Sequence, residues 1–408
     1  MRMLKLFAVA VVTALEMSTA NVWAANCGTN SPDDVPGLNK AAGTLTLGTI
    51  QPITGRAALI GVSVAQGIDI AIKEINAKGG VAGCKLEVVT LDNQYSLDST
   101  VSSARRLVDR ERVWAIVAPT GSAYLPAIYD TLKDSGTPMW GPISPGDNNV
   151  RQVYLLAPSR IEQSRVCLDY FADKGAKKIA ALSQNNDVGV QADSAMNIQS
   201  KIRGFKIVAN EKIDVQAPNL STATLNIVNS GAEALLISLD PGSLSTALNG
   251  LRSSGFNGPI CSDGGSAGVG GLTNVGAANP TASNGFLATL QTALPISEDP
   301  FVLNWRKQFD SYSGKFKDSA PGFSFQGYAY VMALARLIER LNGDLSRNNF
   351  HKVAESLVAK PISLGVIPEI ACGPLPGGHT CAKGAGLARF DGTKRSWSQI
   401  QSFRSPKE

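Results

Sequence analysis

Histidine, clustered charge and long apolar runs are all scarce in this chain, and each scarcity argues against a class of function. The 408 residues include only two histidines, and no Cys/His spacing resembles a zinc site. The net charge of +5 is spread out, without a basic patch interleaved with aromatic residues. Beyond the N-terminal region, no stretch is apolar enough to span a bilayer. We therefore expect no metal, no cofactor, no nucleic-acid partner and no internal membrane span.

Residues 1–24 are typical of a signal peptide. Two basic residues precede the mostly apolar segment Leu6–Leu15, and Val22–Ala25 ends in small residues suited to cleavage. Cys27 follows, but Asn26 directly before it makes a poor lipoprotein signal. The sequence therefore predicts an exported protein, periplasmic or extracellular, and favours a secreted chain over a lipid-anchored one.

Six cysteines in an exported chain predict disulfide bonds. Cys372 and Cys381 flank a short loop rich in Pro and Gly, and we expect them to pair. Cys27 and Cys84 lie at loop edges near the start of the fold and form a weaker candidate pair. The remaining two, which fit buried free thiols as well as a bridge, are Cys167 and Cys261.

Strand-like and helix-like segments alternate from Leu45 to Phe286, which predicts parallel sheets with helices on both faces. Continuous apolar strands such as Trp114–Val117 fit burial on both faces. The alternation pauses near Tyr154–Pro158 and then resumes, so it divides into two lobes. After about residue 298, three helices follow one another before a final strand pair. The predicted fold class is α/β, with two doubly wound, Rossmann-like lobes.

The segment Gly48–Gly83 carries the most information. It reads as a strand, a loop with Gly55 and Gly61, an amphipathic helix, a Gly-Gly turn and the start of another strand. The helix ends in Ile75–Gly80, with the sequence INAKGG. This order resembles the N-terminal segment of type I periplasmic solute-binding proteins of ABC transporters, the group that contains the branched-chain amino acid binding proteins. The resemblance covers roughly residues 44–400.

The resemblance implies that the chain crosses between the lobes three times, which would form a hinge. The expected crossings lie near Leu156, near Thr289–Gln291, and between about Leu375 and Phe390. Two rigid domains in simple tandem are the alternative. The predicted divisions are an N-terminal segment 25–43, a first lobe 44–156 and 290–375, and a second lobe 157–289 and 376–408, the last part including the third crossing.

In doubly wound sheets, ligands bind beyond the carboxyl ends of the strands. In the first lobe, Thr120, Gly121 and Ser122 follow a strand at a predicted helix start, where unpaired N–H groups attract anions. The resemblance implies that Gly121 and Ser122, with Thr120 beside them, hold the ligand carboxylate, although Ser122 could simply cap its own helix. Ile143 and Ser144 occupy the place of a family segment that contacts the ligand.

In the second lobe, Asp187 follows a strand and opens a helix. Asp263 follows another strand and roughly matches a family acidic residue that pairs with the ligand amino group, although a turn Asp in this Gly-rich run is an equal alternative. Ile60, Val188 and the strand end before Asp240 lack aromatic residues that relatives carry there. These departures set a branched-chain amino acid ligand in doubt.

The predicted function is ligand binding without chemistry. A monomer would capture an amino acid or a related small carboxylate or amide by hinge closure and deliver it to an ABC permease. One alternative keeps the fold and makes it a ligand-sensing module that feeds a membrane receptor.

A second alternative is a secreted serine hydrolase. Gly264–Gly268 matches G-x-S-x-G with Ser266 as nucleophile, and Asp299 and His379 follow in the expected order. The glycine-rich residues after Ser266 make a poor helix start, whereas the motif needs a helix there. We therefore expect no enzyme.

Overall fold

Two sheets with helices on both faces form this protein, which we describe from a computed structural model. The described residues are 26–55, 57–121, 124–143, 150–214, 219–239, 241–264, 279–317 and 320–408. The predicted signal peptide at 1–24 and three predicted site residues, Ser122, Ser144 and Ser266, lie outside them.

The first sheet is built on β2, which pairs in parallel with β3 and β4. Parallel pairing continues from β4 to β5 and from β5 to β6, while the short β1 joins β2 antiparallel. Its strands are β1 (Leu38–Asn39), β2 (Thr44–Gln51), β3 (Lys85–Asp92), β4 (Ile116–Val117), β5 (Met139–Trp140) and β6 (Val153–Tyr154).

The second sheet has the order β13-β12-β11-β10-β9-β7-β8. The strands from β7 to β11 pair in parallel, but β12 and β13 run antiparallel, so this sheet is mixed at one edge. Its strands are β7 (Lys178–Gln184), β8 (Lys206–Ile213), β9 (Ala234–Ser238), β10 (Ile260–Ser262), β11 (Leu287–Leu290), β12 (Ala385–Asp391) and β13 (Ser396–Arg404).

Helices separate the strands in the order that the sequence pattern predicts. No helix in the described ranges is both long enough and apolar enough to cross a bilayer. The α-helices are α1 (Ala58–Ala77), α2 (Leu97–Arg105), α3 (Tyr129–Ser135), α4 (Arg160–Asp173), α5 (Asp187–Arg203), α6 (Ser221–Asn229), α7 (Pro241–Ser253), α8 (Pro300–Asp310), α9 (Pro321–Glu339) and α10 (Arg347–Glu355).

Alternate residues of each buried strand enter different cores. Val117 packs in the core under α1 and α9, while its neighbour Ile116 packs on the opposite face of the sheet. Leu235 and Leu236 divide in the same way between the two faces of the second sheet. Because side chains alternate along a strand, a continuous apolar strand needs cover on both faces. The two-lobed α/β class predicted from the sequence is confirmed.

The backbones of α1 and α9 approach each other closely at two glycines. A Cβ atom placed on Gly67 would lie 1.9 Å from the carbonyl oxygen of Ser324, and one on Gly327 would lie 2.6 Å from that of Val64. Only glycine fits such a contact. This contact joins α9, from the late helical part of the chain, to the first helix of the first lobe.

All three cysteine pairs form disulfides. The bridge between Cys372 and Cys381 is present as predicted, and so is the weaker candidate that joins Cys27 to Cys84. The two cysteines whose state the sequence left open also pair, and their bridge fastens α4 to β10. They are Cys167 and Cys261.

Candidate functional site

Polar side chains stand at the carboxyl ends of the parallel strands in both sheets. In the first sheet, Gln51 ends β2 and Asn93 follows β3, and both are fully buried. In the second sheet, Gln184 ends β7, Ser238 ends β9 and Asp263 follows β10. Parallel strands bring these ends to one edge of each sheet, which is where doubly wound folds bind ligands.

Thr120 is placed by backbone contacts from two strands. Its N–H donates to the carbonyl of Ile50 at 2.9 Å, and its own carbonyl accepts from Asn93 Nδ2 at 3.1 Å. The side chain is 4% exposed, and its hydroxyl oxygen has no hydrogen-bond partner among the described residues. A buried hydroxyl without a partner is costly, so it marks a position where a ligand would supply one.

Gly121 continues this loop in a conformation reserved for glycine, with φ at 134°. The helical rotation begins later than the sequence predicts, as a 3₁₀ turn over Leu125–Ile128 that leads into α3. The carbonyl of Gly121 accepts from Tyr124 N and Leu125 N and so ends the loop. Thr120 and Gly121 therefore lie together before the turn, rather than at the first residues of a helix.

Ile143 is tied to the same loop through its backbone. Its N–H donates to the carbonyl of Pro119 at 3.0 Å. Its side chain is buried in the core of the first lobe, so neither this side chain nor the bonded N–H is exposed for contact with a ligand.

Asp92 holds the loop between β2 and α1. Its carboxylate accepts from Ile53 N at 2.9 Å, from Thr54 Oγ1 at 2.6 Å and from Gln94 N at 2.8 Å. Burial raises the pKa of Asp92, but these hydrogen bonds outweigh burial and leave that pKa below its ordinary value. Asp92 is thus a structural clamp for the first loop of the site.

An aromatic pair joins the segment after β3 to the loop that follows Thr120. Tyr95 follows β3 and Tyr124 follows the Thr120 loop, and their ring centroids lie 5.4 Å apart in an edge-to-face arrangement. Both rings are half-buried.

Asp263 is committed to an ion pair in the second lobe. Its Oδ1 lies 2.5 Å from Nη1 of Arg160, the first residue of α4. The Asp263 side chain is 1% exposed, whereas the Arg160 side chain is 24% exposed. A ligand amino group at Asp263, as the resemblance implies, would have to share this carboxylate with a guanidinium.

Gln163 joins several of the same strand ends. Its side-chain oxygen accepts from Gly264 N at 2.9 Å and from Thr289 Oγ1 at 3.1 Å, while its amide donates to the carbonyl of Pro158. Gln291 Nε2 reaches the same oxygen at 3.4 Å. The first turn of α4 is therefore fastened to the carboxyl ends of β10 and β11.

The remaining second-lobe positions differ in exposure. Asp187 is the first residue of α5, behind the capping residue Asn186, and it is exposed. Ser238 is buried, and its hydroxyl has no hydrogen-bond partner in the described part of the chain. Ser238 thus shares with Thr120 a buried hydroxyl at the carboxyl end of a parallel strand.

The partners proposed for a serine nucleophile are occupied elsewhere. Asp299 caps α8 by accepting from Phe301 N at 2.8 Å. His379 is fully buried and stacks on Tyr154 with ring centroids 4.2 Å apart. Both residues therefore have structural roles where they stand.

Residues 44–367 match the periplasmic binding protein family. This chain is a type I periplasmic binding protein of the branched-chain amino acid group. The matching family and the solved structures of similar fold are those of binding proteins, not of enzymes. The hydrolase alternative is therefore set aside.

Similar proteins carry several ligand names. A Leu/Ile/Val-binding protein homologue of Brucella abortus (strain 2308) is 25% identical over 213 residues, which are 49% of this chain and 53% of that protein. The chain thus matches about half the length of that relative. The leucine-, isoleucine-, valine-, threonine- and alanine-binding protein of Pseudomonas aeruginosa is 24% identical over 324 residues, which cover 78% of this chain and 83% of that protein.

One solved structure shows the same fold with a different ligand. It is an ABC transporter solute-binding protein of R. palustris in complex with 4-hydroxybenzoate. The two structures superpose with a TM-score of 0.72 at 18% sequence identity. The match covers 89% of this chain and 98% of the R. palustris protein.

Sequence reasoning missed Arg160, Gln163 and Tyr95. Arg160 had one available signal. A cation in the first turn of a helix interacts unfavourably with the helix dipole, so its presence there indicates a nearby acidic partner. Gln163 and Tyr95 gave no comparable signal, since their contacts join segments that are distant in the sequence or depend on loop geometry.

Proposed function

We propose that this periplasmic binding protein captures a small ligand between its lobes and delivers it to an ABC importer. The proposed ligand class is an amino acid or a related small carboxylate or amide. Relatives named for leucine, isoleucine and valine support this range, as does the neighbour that holds 4-hydroxybenzoate. The observation that carries the site is the buried, unsatisfied hydroxyl of Thr120 at the end of a parallel sheet.

Hinge closure is the proposed mechanism. Leu155 N donates to the carbonyl of His379, and Cys381 N donates to that of Leu155, so the segments that we propose as the first and third crossings are hydrogen-bonded to each other. Gln291, just past β11, accepts from Gln326 of α9 at 3.1 Å. A ligand that contacts both lobes binds the closed form more tightly and shifts the population towards it.

The proposed lobes keep the limits expected from the sequence. The first lobe comprises 44–156 and 290–375, and the second comprises 157–289 and 376–408 with the third crossing. The segment 25–43 precedes them. The protein would act as a monomer, since each copy contains both halves of the cleft.

Export is part of the proposal. The segment 1–24 would be removed as a signal peptide, and three disulfides fit an oxidising compartment. Cys27, the residue that a lipid would modify, has its sulfur in the bridge to Cys84. This bridge favours a soluble exported protein over a lipid-anchored one.

The experiment that tests the proposal is a thermal-shift screen of amino acids, small amides and aromatic acids. A ligand that binds only the folded state raises the melting temperature. Small-angle scattering should then show a smaller radius of gyration with the ligand than without it. A protein that takes up none of the compounds and never contracts would refute the proposal.

A further inference from the structure

The amino edge of the second sheet, at the opposite ends of the strands from the candidate ligand site, has an excess of positive charge. Strands β7 to β11 all begin there, and the turn between β12 and β13 returns to it. Six exposed cations at this edge, which we call the cationic edge, form no ion pair with any described carboxylate. They are Lys174, Lys177, Lys178, Lys206, Lys394 and Arg395.

The segments that meet at this edge hold nine lysines and arginines but only three carboxylates, a net charge of +6. The whole chain has a net charge of +5, so the rest of it is slightly negative. The segments are 173–178, 203–206, 229–234, 252–259, 279–287 and 389–396. Positive charge that looks dispersed along the sequence is therefore gathered at one edge by the fold.

The carboxylates at this edge are bonded to other groups. Glu233 Oε2 accepts from the backbone N–H of Lys177 at 2.6 Å, and Asp391 accepts from backbone N–H groups of its own turn. Asp173 pairs with Arg203 at 2.6 Å. These three side chains therefore leave most of the positive charge uncompensated.

Stability does not account for the excess. A helix dipole favours a cation at the C-terminus, which explains Arg252 in the last turn of α7 and Lys174 just after α4, whose ammonium also lies over the Tyr170 ring. It does not explain Lys178 and Lys206, which begin β7 and β8 and are cross-strand neighbours. Like charges at neighbouring positions repel, so this pair opposes folding and would be favoured by an anionic partner.

The cationic edge is broad and has apolar side chains beside it. Neighbouring strands lie about 4.8 Å apart, so the distance from β8 to β12 across the sheet is about 24 Å. Ile202 in the last turn of α5 is 38% exposed, and Ile207, next to Lys206 in β8, is 37% exposed. A small anion needs donors that converge on one point, whereas a row of separate cations beside apolar side chains suits an anionic lipid surface.

We propose that the cationic edge binds the surface of a membrane that contains anionic phospholipids. Each lysine or arginine near such a surface raises the affinity about fivefold, because the headgroups attract its charge within about one Debye length. The exposed side chains of Ile202 and Ile207 can contact the boundary between headgroups and acyl chains. This contact goes beyond the proposed function and does not depend on which ligand is bound.

Sedimentation with lipid vesicles tests the proposal. We expect the protein to bind vesicles of phosphatidylcholine mixed with phosphatidylglycerol at low salt, and not to bind vesicles of phosphatidylcholine alone. Added salt should weaken the binding, since it screens exposed charges. The fourfold variant Lys174→Gln/Lys177→Gln/Lys178→Gln/Lys206→Gln should bind the mixed vesicles at least about tenfold more weakly.

A second fourfold variant, Lys85→Gln/Lys307→Gln/Lys352→Gln/Lys360→Gln, removes the same charge elsewhere and is the matched control. These lysines are exposed, form no ion pair in the described part of the chain, and belong to segments that pack around the first sheet. The control should bind the mixed vesicles within about threefold of the unchanged protein, because its lysines lie more than a Debye length from the bound surface. The melting temperature of each variant shows whether it has folded.

Three results would overturn the proposal. One is a protein that binds neither kind of vesicle at low salt; its retention on poly-L-glutamate would then assign the edge to an acidic protein partner. Another is an equal loss of binding in both fourfold variants, which would show that only net charge matters.

The third is displacement from the mixed vesicles by inorganic phosphate but not by sodium chloride of the same ionic strength. That result would assign the charge to a discrete anion site, for which the cavity of about 620 Å³ lined by Arg252 and Arg389 is the candidate. Each of these results leaves the ligand screen, and with it the proposed function, unaffected.

Discussion

At the scale of single residues, the proposed binding site depends most on Thr120. Its backbone groups are satisfied by Ile50 and Asn93, while its hydroxyl has no partner in the described residues. The Thr120 hydroxyl therefore adds no hydrogen bond to the stability of the described fold, whereas a satisfied one contributes about 1 kcal/mol. The same reasoning applies to Ser238 in the other lobe.

Replacing Thr120 with Val should therefore weaken ligand binding without destabilising the fold. Valine has nearly the same shape and removes only the unsatisfied hydroxyl. We expect about tenfold weaker binding, equal to about 1.4 kcal/mol, and no fall in the free energy of unfolding. Titration calorimetry and urea denaturation measure the two quantities.

Thr224→Val supplies the control for that change. The Thr224 hydroxyl is also buried, but it donates to the carbonyl of Ser221 at 3.0 Å within α6. Its removal should cost about 1 kcal/mol of stability and leave ligand affinity intact. A Thr120→Val protein that loses stability but binds normally would show that the hydroxyl serves the fold.

At the scale of elements, the contact between α1 and α9 ties together parts of the chain that are far apart in sequence. Gly67 and Gly327 let the two backbones meet, and larger apolar side chains such as Phe325 and Leu334 pack around them. Tyr328 of α9 donates to Glu74 of α1 at 2.7 Å, adding a buried polar contact. These helices therefore cannot separate without disrupting the core of the first lobe.

Gly67→Ala should be strongly destabilising. The new methyl group would meet the backbone of Ser324, which cannot move without shifting α9, so we expect a loss of about 2 kcal/mol or more. Gly250→Ala in α7 is the control, because its nearest neighbour is a side-chain methyl at 3.3 Å. Its stability should change by less than about 1 kcal/mol, and equal effects in denaturant titrations would contradict this account.

The disulfides should contribute unequally. In the chain-entropy description, the bridge with a separation of 94 residues stabilises by about 4.7 kcal/mol and the one with 9 by about 2.6 kcal/mol. The double variant Cys167→Ala/Cys261→Ala should thus lose more stability than Cys372→Ala/Cys381→Ala. Denaturant titration of both variants checks the order, and the reverse order would rule out loop closure as the main term.

At the scale of the whole molecule, the two histidines come together around Tyr154 from parts of the chain that are far apart in sequence. Tyr154 stacks on His379, and its hydroxyl lies 2.6 Å from Nδ1 of His351. Burial lowers the pKa of His351 to about 4, with Arg151 acting in the same direction. Burial also lowers the pKa of His379, against the opposing effect of Glu355. Both rings are therefore neutral in the folded protein near pH 7.

Acidification should destabilise the protein below the ordinary histidine pKa. Between about pH 6.5 and 5, the histidines are protonated in the unfolded chain but stay neutral in the folded protein. Each histidine therefore lowers the free energy of unfolding by up to about 1.4 kcal/mol per pH unit as the pH falls. Above about pH 6.5 this contribution is constant. Denaturant titrations at several pH values should show a flatter slope for the double variant His351→Gln/His379→Gln, and an unchanged slope would exclude the histidines as the cause.

Much of the fold could be predicted from the sequence because the signals are local. Strand and helix periodicity, the INAKGG helix end and the pause near Tyr154 are all contained within short windows. Antiparallel pairing at the edge of the second sheet was not predicted, because strand direction follows from how the last crossing returns the chain. The helix was predicted to begin close to Gly121, but the chain first forms a 3₁₀ turn over Leu125–Ile128. Hydrophobic periodicity does not indicate such a turn.

The candidate site was predicted less completely. The loop at Thr120 and Gly121 was proposed because the edge of a sheet that binds ligands follows from strand order, which the sequence pattern indicates. The role of Asp263 depended on a partner 103 residues away, which no spacing indicates. Asp187, chosen on the same grounds as Asp263, lies exposed, because position after a strand does not determine burial.

The sequence by itself determined that this protein is a two-lobed α/β binding protein, since apolar periodicity and glycine positions dictate which segments can be strands, helices and turns. Only the tertiary structure decided which polar and aromatic side chains contact one another. It set Arg160 against Asp263, stacked His379 on Tyr154 and left the Thr120 hydroxyl without a hydrogen-bond partner among the described residues. Burial and pairing depend on contacts between residues that are distant in the sequence. These contacts form only when the chain folds, so sequence spacing does not reveal them.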